Sequence, residues 1–177
     1  MDKIILGGGI ANTLIAAKGN EVGKSLVEES MLPEAEKLLE NPKIIVPHLV
    51  VVSDNPEKPG RLTSIDSIEK NEAIFDVSTE SFADLETILM NAGPILWNGP
   101  LGFFEKQNFD KGTIKIAKMI CSSKGFSVAG GGDTIAAAQK AGVLGKLDYV
   151  STAGGAFLEF IEGRKLPGVE ALRDKVN

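Results

Sequence analysis

Residues 126–140, FSVAGGGDTIAAAQK, place three consecutive glycines between an apolar run and an alanine-rich stretch. Asp133 and Thr134 follow the glycines and would lie at the start of the helix that the alanines favour. Backbone N–H groups at a helix start, approached through glycines, form a binding site for phosphate. An aspartate repels a phosphate, so its presence here needs its own explanation.

Two roles for Asp133 account for its position. The carboxylate could cap the helix by accepting hydrogen bonds from N–H groups two or three residues further on. Alternatively, phosphates arrive with Mg²⁺, whose charge turns the carboxylate into a metal ligand, directly or through water. In the second case Thr134 donates a hydrogen bond to a phosphate oxygen. The stretch alone leaves both roles open.

Glycines follow four strand-like runs in the same way. They are Gly7 to Gly9 after KIIL, Gly99 and Gly102 after ILWN, Gly130 to Gly132 after SVA, and Gly154 and Gly155 after YVSTA. The carboxyl ends of parallel strands lie along one edge of a sheet, and ligands bind in the crevice beyond it. The four clusters therefore predict one shared crevice, although any single cluster could be only a tight turn.

The order of the elements predicts the fold that would bring these loops together. Short apolar runs such as KIIL, AIFDV, PILW and FSVA alternate with helical patterns, which is typical of βαβ units and a buried parallel sheet. We expect an α/β fold with a doubly wound, mostly parallel sheet and helices on both faces, a Rossmann-like three-layer arrangement. Residues 1–177 suit a single domain. The charged, proline-containing segment 54–71 should be a surface excursion, with an edge strand at RLTSI.

Composition excludes several classes of function. Acidic residues outnumber basic ones by 24 to 19, and no Lys/Arg run could follow a nucleic-acid backbone. No apolar stretch approaches the roughly 20 residues that span a bilayer, and the N-terminus lacks the features of a signal peptide. We therefore expect a cytoplasmic protein with no nucleic-acid or membrane partner. The single cysteine, Cys121, and the single histidine, His48, have no partner ligands nearby and are expected to be structural.

Two familiar nucleotide motifs fail when their residues are counted. The stretch from Gly19 to Ser25 looks like a P-loop, but three residues separate its glycines where that motif needs four. The stretch from Gly7 to Asn12 has asparagine where the dinucleotide fingerprint needs glycine or alanine. A standard dinucleotide-dependent dehydrogenase is therefore not expected.

Several blocks of the sequence, in order and spacing, resemble the C-terminal, nucleotide-binding half of phosphoglycerate kinases. The blocks are GGGIANT with AAKGNEVGKSLVEE, ILWNGPLGFFE, KGT, VAGGGDT, VSTAGGAFLEFIEG and KLPGVEAL. The resemblance runs from about Asp2 to Leu172. It implies a phosphotransferase that moves a phosphoryl group reversibly between ATP and the carboxyl group of 3-phosphoglycerate, giving 1,3-bisphosphoglycerate and ADP in glycolysis.

The resemblance also implies roles for individual residues, with ATP or ADP and Mg²⁺ as ligands. Residues expected to hold the nucleotide are Gly7 and Gly8 at adenine, Asn98, Pro100, Gly102 and Phe103 along the cleft, Glu105 at ribose, and Gly130, Gly131, Gly132, Asp133 and Thr134 at the phosphates. Asp133 is also the expected metal ligand. The expected catalytic residues, at a helix start facing the transferred phosphoryl group, are Thr152, Gly154 and Gly155.

The sequence departs from the family pattern in several places. The resemblance places the 3-phosphoglycerate site in an N-terminal domain, and a lysine near the phosphoryl group in a segment before Met1, and neither has a counterpart in these residues. Ser78 and Thr79 stand where many members have Gly-Pro, and Ala153 replaces the first glycine of a triple. These changes could alter one wall of the nucleotide site and a backbone approach to phosphate.

We therefore expect this chain to bind Mg-nucleotide weakly and to be inactive, or nearly so, when alone. Its sheet, truncated on the N-terminal side, should leave an exposed apolar edge or face, which favours self-association in a family that is usually monomeric. Three alternatives remain open. They are a non-catalytic nucleotide-binding module, one half of a split enzyme, and an α/β remnant that binds nothing.

Overall fold

The computed structural model describes residues 2–82 and 84–173, and its parallel strands confirm the α/β class. Strand β1 (Ile4–Ile5) pairs in parallel with β2 (Ile44–Ile45). A second parallel ladder has the order β6-β7-β8 and contains β6 (Ile95–Asn98), β7 (Ser127–Gly130) and β8 (Tyr149–Ser151). The helices that connect these strands lie on both sides of them, as the alternating pattern of the sequence predicts.

A three-stranded antiparallel sheet forms the part of the fold that the sequence pattern did not specify. Its central strand, β3 (Leu49–Ser53), pairs with β4 (Arg61–Ser64) on one side and with β5 (Ala73–Val77) on the other. The connection from β3 to β4, residues 54–60, is shorter than the crossover of about a dozen residues that a parallel pair needs. The expected edge strand at RLTSI is confirmed as β4, at one edge of this sheet.

The described residues form seven α-helices, most of them at the helical patterns of the sequence. They are α1 (Gly8–Ala17), α2 (Leu32–Leu39), α3 (Leu85–Met90), α4 (Lys111–Ser122), α5 (Gly132–Lys140), α6 (Gly155–Ile161) and α7 (Pro167–Arg173). Among the residues described, none of these helices has both the length and the apolar character needed to cross a membrane.

Two apolar clusters form the core. The larger one packs α3, α4 and α5 against β6 and β7, with Trp97, Ile116 and Ala129 among its buried members. Ile5 and Ile45, from the first parallel ladder, pack against the same cluster, so both parallel ladders share one core. The smaller cluster joins Ile15 of α1 to the antiparallel sheet.

Helices α6 and α7 bury none of their residues, whereas the exposure predicted from the sequence concerned the N-terminal side of the sheet. Phe160 on α6 and Leu172 on α7 have 62% and 69% of their surface exposed. Leu96 on β6 is also partly exposed. Whether this surface causes self-association stays a prediction.

Candidate functional site

The carboxyl ends of β6, β7 and β8 lie side by side. Asn98 at the end of β6 is in register with Gly130 at the end of β7, and Gly130 with Ser151 at the end of β8. The chain leaves the sheet directly after each of these residues. Three of the four glycine-rich loops predicted from the sequence therefore start at the same edge, where parallel α/β sheets bind ligands.

The fourth glycine cluster, at the start of α1, reaches the loop that follows β6. The Gly8 N–H donates a hydrogen bond of 2.9 Å to the Leu101 carbonyl oxygen. Gly7 approaches the same residue so closely that a Cβ at Gly7 would lie 2.8 Å from the Leu101 Cα. The α1 start and the β6 ladder thus meet at Leu101, as one shared crevice requires.

Residues 98–104, called the β6 loop below, are tied to the end of β7 and the start of α5. The Asn98 side-chain amide donates to the Gly130 carbonyl at 2.7 Å. The Gly99 N–H donates to the Thr134 hydroxyl oxygen at 2.7 Å, and the Trp97 indole N–H donates to the Gly99 carbonyl at 2.8 Å. These bonds fix the first half of the loop.

The second half of the β6 loop is tied to α4 and to β5. The Leu101 N–H donates to the Thr113 hydroxyl oxygen at 3.1 Å. The Phe103 N–H donates to the Phe75 carbonyl at 2.7 Å. The Phe104 carbonyl accepts a hydrogen bond from the Lys140 ammonium at the end of α5. Acceptors on α5, α4 and β5 thus satisfy the N–H groups of Gly99, Leu101 and Phe103.

A cleft of about 440 Å³ lies between the α1 start, β5 and the β6 loop. Three residues expected from the sequence line it, and these are Gly8, Gly102 and Phe103. The remaining lining residues were not predicted, and they are Gly9, Asn12, Lys24, Leu26, Ala73, Ile74, Phe75, Asp76 and Leu101. Of these, Lys24 lies in the stretch GNEVGKS. Because this stretch does not match the P-loop motif, the sequence did not predict that Lys24 lines the cleft.

The start of α5 excludes one of the two roles considered for Asp133. Gly131 occupies the N-cap position, and no side chain caps the helix. Asp133 is the second residue of the helix, and its carboxylate is exposed. The capping role is therefore not realised, and the carboxylate is accessible to solvent and to a ligand.

The hydroxyl group of Thr134 is used within the protein. Thr134 is 1% exposed, and its hydroxyl donates to the Gly130 carbonyl at 2.7 Å while accepting from the Gly99 N–H. The sequence-based expectation that this hydroxyl donates to a phosphate does not agree with this geometry, because its single hydrogen already has an acceptor. The backbone N–H of Thr134, in the first turn of α5, still faces the direction in which helices bind anions.

Four other expected site residues are exposed and lie outside the lining of the cleft. Thr152, Gly154 and Gly155 form the connection from β8 to α6. Glu105 lies just beyond the β6 loop. The expected site residues that do not line the cleft are Gly7, Asn98, Pro100, Glu105, Gly130, Gly131, Gly132, Asp133, Thr134, Thr152, Gly154 and Gly155.

The two departures from the family pattern have local partners. Ser78 precedes a short 3-10 helix, Thr79–Ser81, and its hydroxyl accepts from the Glu80 N–H at 3.2 Å. The Ala153 N–H donates to the Ser151 hydroxyl at 3.4 Å. Their effect on nucleotide binding stays a prediction.

Asp76, at the end of β5, is a buried carboxylate beside the cleft. It is 2% exposed, and its two oxygens accept from the Val77 N–H and the Gly112 N–H, both at 2.8 Å. Burial raises the pKa of Asp76 to about 6, and the nearby Asp110 carboxylate contributes to the same shift, whereas the two N–H bonds oppose it. Asp110 itself pairs with Lys140 at 2.9 Å.

Parallel strands with helix starts and glycine-rich loops at their aligned carboxyl ends define a doubly wound α/β domain, a class in which ligands bind beyond this edge of the sheet. The family model for phosphoglycerate kinase matches residues 1–164. This chain belongs to the phosphoglycerate kinase family.

Solved structures of two phosphoglycerate kinases are similar to this chain. The enzyme from Coxiella burnetii is 41% identical, with a TM-score of 0.90 over 96% of this chain and 46% of that one. The enzyme from Pyrococcus horikoshii OT3 is 34% identical, with a TM-score of 0.82 over 97% of this chain and 45% of that one. The chain thus spans less than half the length of these relatives.

Substitution of Gly102 should disturb the β6 loop. A Cβ there would lie 2.5 Å from the Phe75 carbonyl oxygen and 2.6 Å from the Asp76 Cα, and these backbone atoms cannot move independently. We expect Gly102→Ala to lower the free energy of unfolding by about 1–3 kcal/mol in urea denaturation. The matched control is Gly132→Ala, where no heavy atom lies within 4 Å of the added carbon, and a change within about 0.5 kcal/mol is expected. Equal effects of the two substitutions would contradict the close approach.

Asp76 should make stability depend on pH. Because its folded-state pKa of about 6 lies above the ordinary value of 3.8, the folded state holds this proton more tightly than the unfolded state does. The resulting stabilisation is complete below about pH 4 and is lost as the pH rises through about 6. We expect the free energy of unfolding of the chain, minus that of Asp76→Asn, to fall by roughly 1–3 kcal/mol between pH 4 and pH 7. A difference that stays constant or rises with pH in urea denaturation would contradict this assignment.

Proposed function

We propose that this chain is the nucleotide-binding half of a phosphoglycerate kinase and holds ATP or ADP with Mg²⁺ at the carboxyl ends of its parallel strands. The observation that carries the proposal is that the ends of β6, β7 and β8 lie in register, while the α1 start is hydrogen-bonded to the loop that follows β6. Membership in the phosphoglycerate kinase family supports a phosphotransferase reaction. That reaction would be reversible phosphoryl transfer between ATP and 3-phosphoglycerate. A glycolytic role would place the protein in the cytoplasm.

The cleft between α1 and the β6 loop would take the nucleoside. Its volume of about 440 Å³ falls in the range of small-molecule pockets, roughly 300–1,000 Å³. Leu26, Phe75 and Leu101 offer apolar surface, and Gly8 and Gly102 leave room for a flat ring to approach the backbone. Gly7 packs closely against Leu101 and would stand beside the adenine. The exposed Glu105, beyond the β6 loop, would reach the ribose hydroxyls.

The start of α5 would take the phosphates. N–H groups of the first helical turn carry no intrahelical bond, and the helix dipole favours an anion there. Gly130, Gly131 and Gly132 bring the chain into this turn, and Gly131 has φ +94°, a conformation that residues with side chains rarely adopt. Asn98 and Pro100 stand on the neighbouring β6 loop and would border the same phosphates.

The donor set fits a Mg²⁺ ion that arrives with the nucleotide. Among the described residues, no group of three or more His, Cys, Asp or Glu side chains could hold a metal by itself. Asp133 offers one exposed carboxylate, and Mg²⁺ characteristically binds through one or two carboxylates, water and substrate phosphates. When bound, the ion would neutralise charge on the phosphate oxygens. Asp133 would position it, and the N–H groups of the α5 start would orient the phosphate chain.

Thr152, Gly154 and Gly155 would face the transferred phosphoryl group. They follow β8, the strand next to β7, so they would stand beyond the phosphates rather than beside the nucleoside. Gly154 has φ +58°, which turns the chain sharply into α6. This turn would present N–H groups to the phosphoryl oxygens as the transfer proceeds.

Phosphoryl transfer should require more than these 177 residues. The reaction depends on positioning both substrates and on gathering positive charge around the transferred group. We expect the chain alone to show no turnover in a coupled assay with ATP and 3-phosphoglycerate. Turnover within about tenfold of a full-length relative, roughly 1.4 kcal/mol in activation free energy, would contradict this expectation. Activity restored by adding an N-terminal half would identify the chain as one part of a split enzyme, and no restoration would favour a non-catalytic nucleotide-binding module.

Isothermal calorimetry with ADP tests the nucleotide site and the role of Asp133 together. We expect 1:1 binding of MgADP, weakened about tenfold in Asp133→Asn because the metal loses its charged ligand. Without metal, in EDTA, the same substitution should not weaken ADP binding, because it removes the repulsion between the Asp133 carboxylate and the phosphates. Any gain in ADP affinity should be no more than about twofold.

Glu36→Gln, which neutralises an exposed carboxylate on α2, is the matched control and should leave both affinities unchanged. Equal losses with and without metal in Asp133→Asn would contradict the metal role. An absence of binding by the unsubstituted chain would contradict the nucleotide site and favour an α/β remnant that binds nothing.

A further inference from the structure

Two threonine hydroxyls hold the β6 loop from opposite ends. Thr134, in the first turn of α5, accepts the Gly99 N–H, and Thr113, in the first turn of α4, accepts the Leu101 N–H. Thr113 has no exposed surface, and it belongs to the block KGT, for which the family resemblance gave no residue role. Thr134 is among the site residues expected from the sequence, whereas Thr113 is not.

The first turn of α4, which carries Thr113, is held by a hydrogen bond to β5. The preceding residue, Gly112, donates its N–H to the buried Asp76 carboxylate at 2.8 Å. No side chain caps α4 locally, so a group from β5 provides the acceptor for its first turn. Asp76 belongs to β5, a strand of the antiparallel sheet. The position of Thr113 relative to the β6 loop is therefore fixed by the packing of α4 against β5 and not by the loop itself.

The backbone of Leu101 is hydrogen-bonded to both walls of the cleft. Its N–H is bound by Thr113, while its carbonyl oxygen accepts the Gly8 N–H at 2.9 Å. Gly8, Leu101 and the following Gly102 all line the cleft. A single backbone unit thus links the helix that carries Thr113 to the α1 start on the opposite wall.

We propose that Thr113 is a positioning residue for nucleotide binding, whose hydroxyl, held by the α4 turn that Asp76 anchors, sets the separation of the two cleft walls. This inference rests on the proposed function, because the ligand of the cleft is taken to be a nucleotide. It assigns a binding role to a hydroxyl that does not touch the ligand. Removal of the hydroxyl should widen or loosen the cleft while the core stays intact.

The test compares Thr113→Val, which keeps the side-chain shape but removes the acceptor, with Thr113→Ser, which keeps the hydroxyl. Two quantities are measured on ¹⁵N-labelled protein, namely amide hydrogen exchange at Leu101 by NMR and the dissociation constant for MgADP by calorimetry. The Trp97 indole N–H, which binds the Gly99 carbonyl in the same loop, gives one resonance from the only tryptophan and reports on the loop independently.

The matched control is Ser81→Ala. Ser81 is also a buried hydroxyl that accepts backbone N–H groups, from His48 and Leu49, but it does so at the antiparallel sheet. This substitution should lower stability without touching the β6 loop. It separates a loss of general stability from a loss of cleft geometry.

In Thr113→Val we expect Leu101 exchange to quicken at least about tenfold, MgADP to bind about tenfold more weakly, and the Trp97 indole resonance to shift, consistent with the loss of one buried hydrogen bond. In Thr113→Ser and Ser81→Ala the dissociation constant and Leu101 exchange should stay within about twofold to threefold of the unsubstituted chain. If Thr113→Val does not fold, Thr113→Cys, a weaker acceptor of similar size, should give the same changes at smaller amplitude.

Three outcomes would overturn the inference. They are unchanged MgADP affinity in Thr113→Val despite faster Leu101 exchange, unchanged Leu101 exchange, and equal effects in Ser81→Ala. Failure of the proposed function looks different, because then the unsubstituted chain itself would bind no MgADP. That result would overturn the nucleotide role of Thr113 as well, whatever Leu101 exchange shows.

Discussion

The hydrogen bond from the Gly99 N–H to the buried Thr134 hydroxyl joins the end of β6 to the start of α5, and the geometry of the crevice depends on it. The Phe103 N–H of the β6 loop bonds to the Phe75 carbonyl of β5, whereas the Gly99 and Leu101 N–H groups have side-chain acceptors. A buried N–H without an acceptor costs roughly 1–3 kcal/mol. For the N–H groups of Gly99 and Leu101, threonine hydroxyls at the starts of α5 and α4 take the place of sheet acceptors. The same bonds that satisfy the loop also set its distance from the helix start where phosphates would lie.

Two aspartates near the crevice show how environment separates the roles of identical side chains. Asp76 is buried, accepts two backbone N–H bonds and holds α4 in place, and its raised pKa reflects the cost of charge in that position. Asp133 is exposed at the start of α5, where a charged ligand can meet it. The buried carboxylate shapes the site, while the exposed one is free to take part in binding.

Much of the fold and part of the site could be predicted from the sequence. Alternating strand and helix patterns predicted the parallel ladders, and the glycine clusters marked the loops that meet at one edge. Antiparallel pairing of β3 with β4 and β5 was not predicted, because apolar runs such as LVVVS and AIFDV do not indicate strand direction. The engagement of Thr134 with Gly99 and the placement of Thr113 and Phe75 beside the loop depend on tertiary contacts that no local pattern encodes.

An NMR titration of the ¹⁵N-labelled chain with MgADP would test the central claim, a single nucleotide crevice at the aligned strand ends, most directly. The account predicts saturable shifts at Gly8, Gly99, Leu101 and Asp133, with the amides of Val50 and Val52 in the antiparallel sheet unchanged. Shifts confined to other parts of the molecule, or a response at Gly8 without any at Asp133, would contradict a crevice that spans both walls.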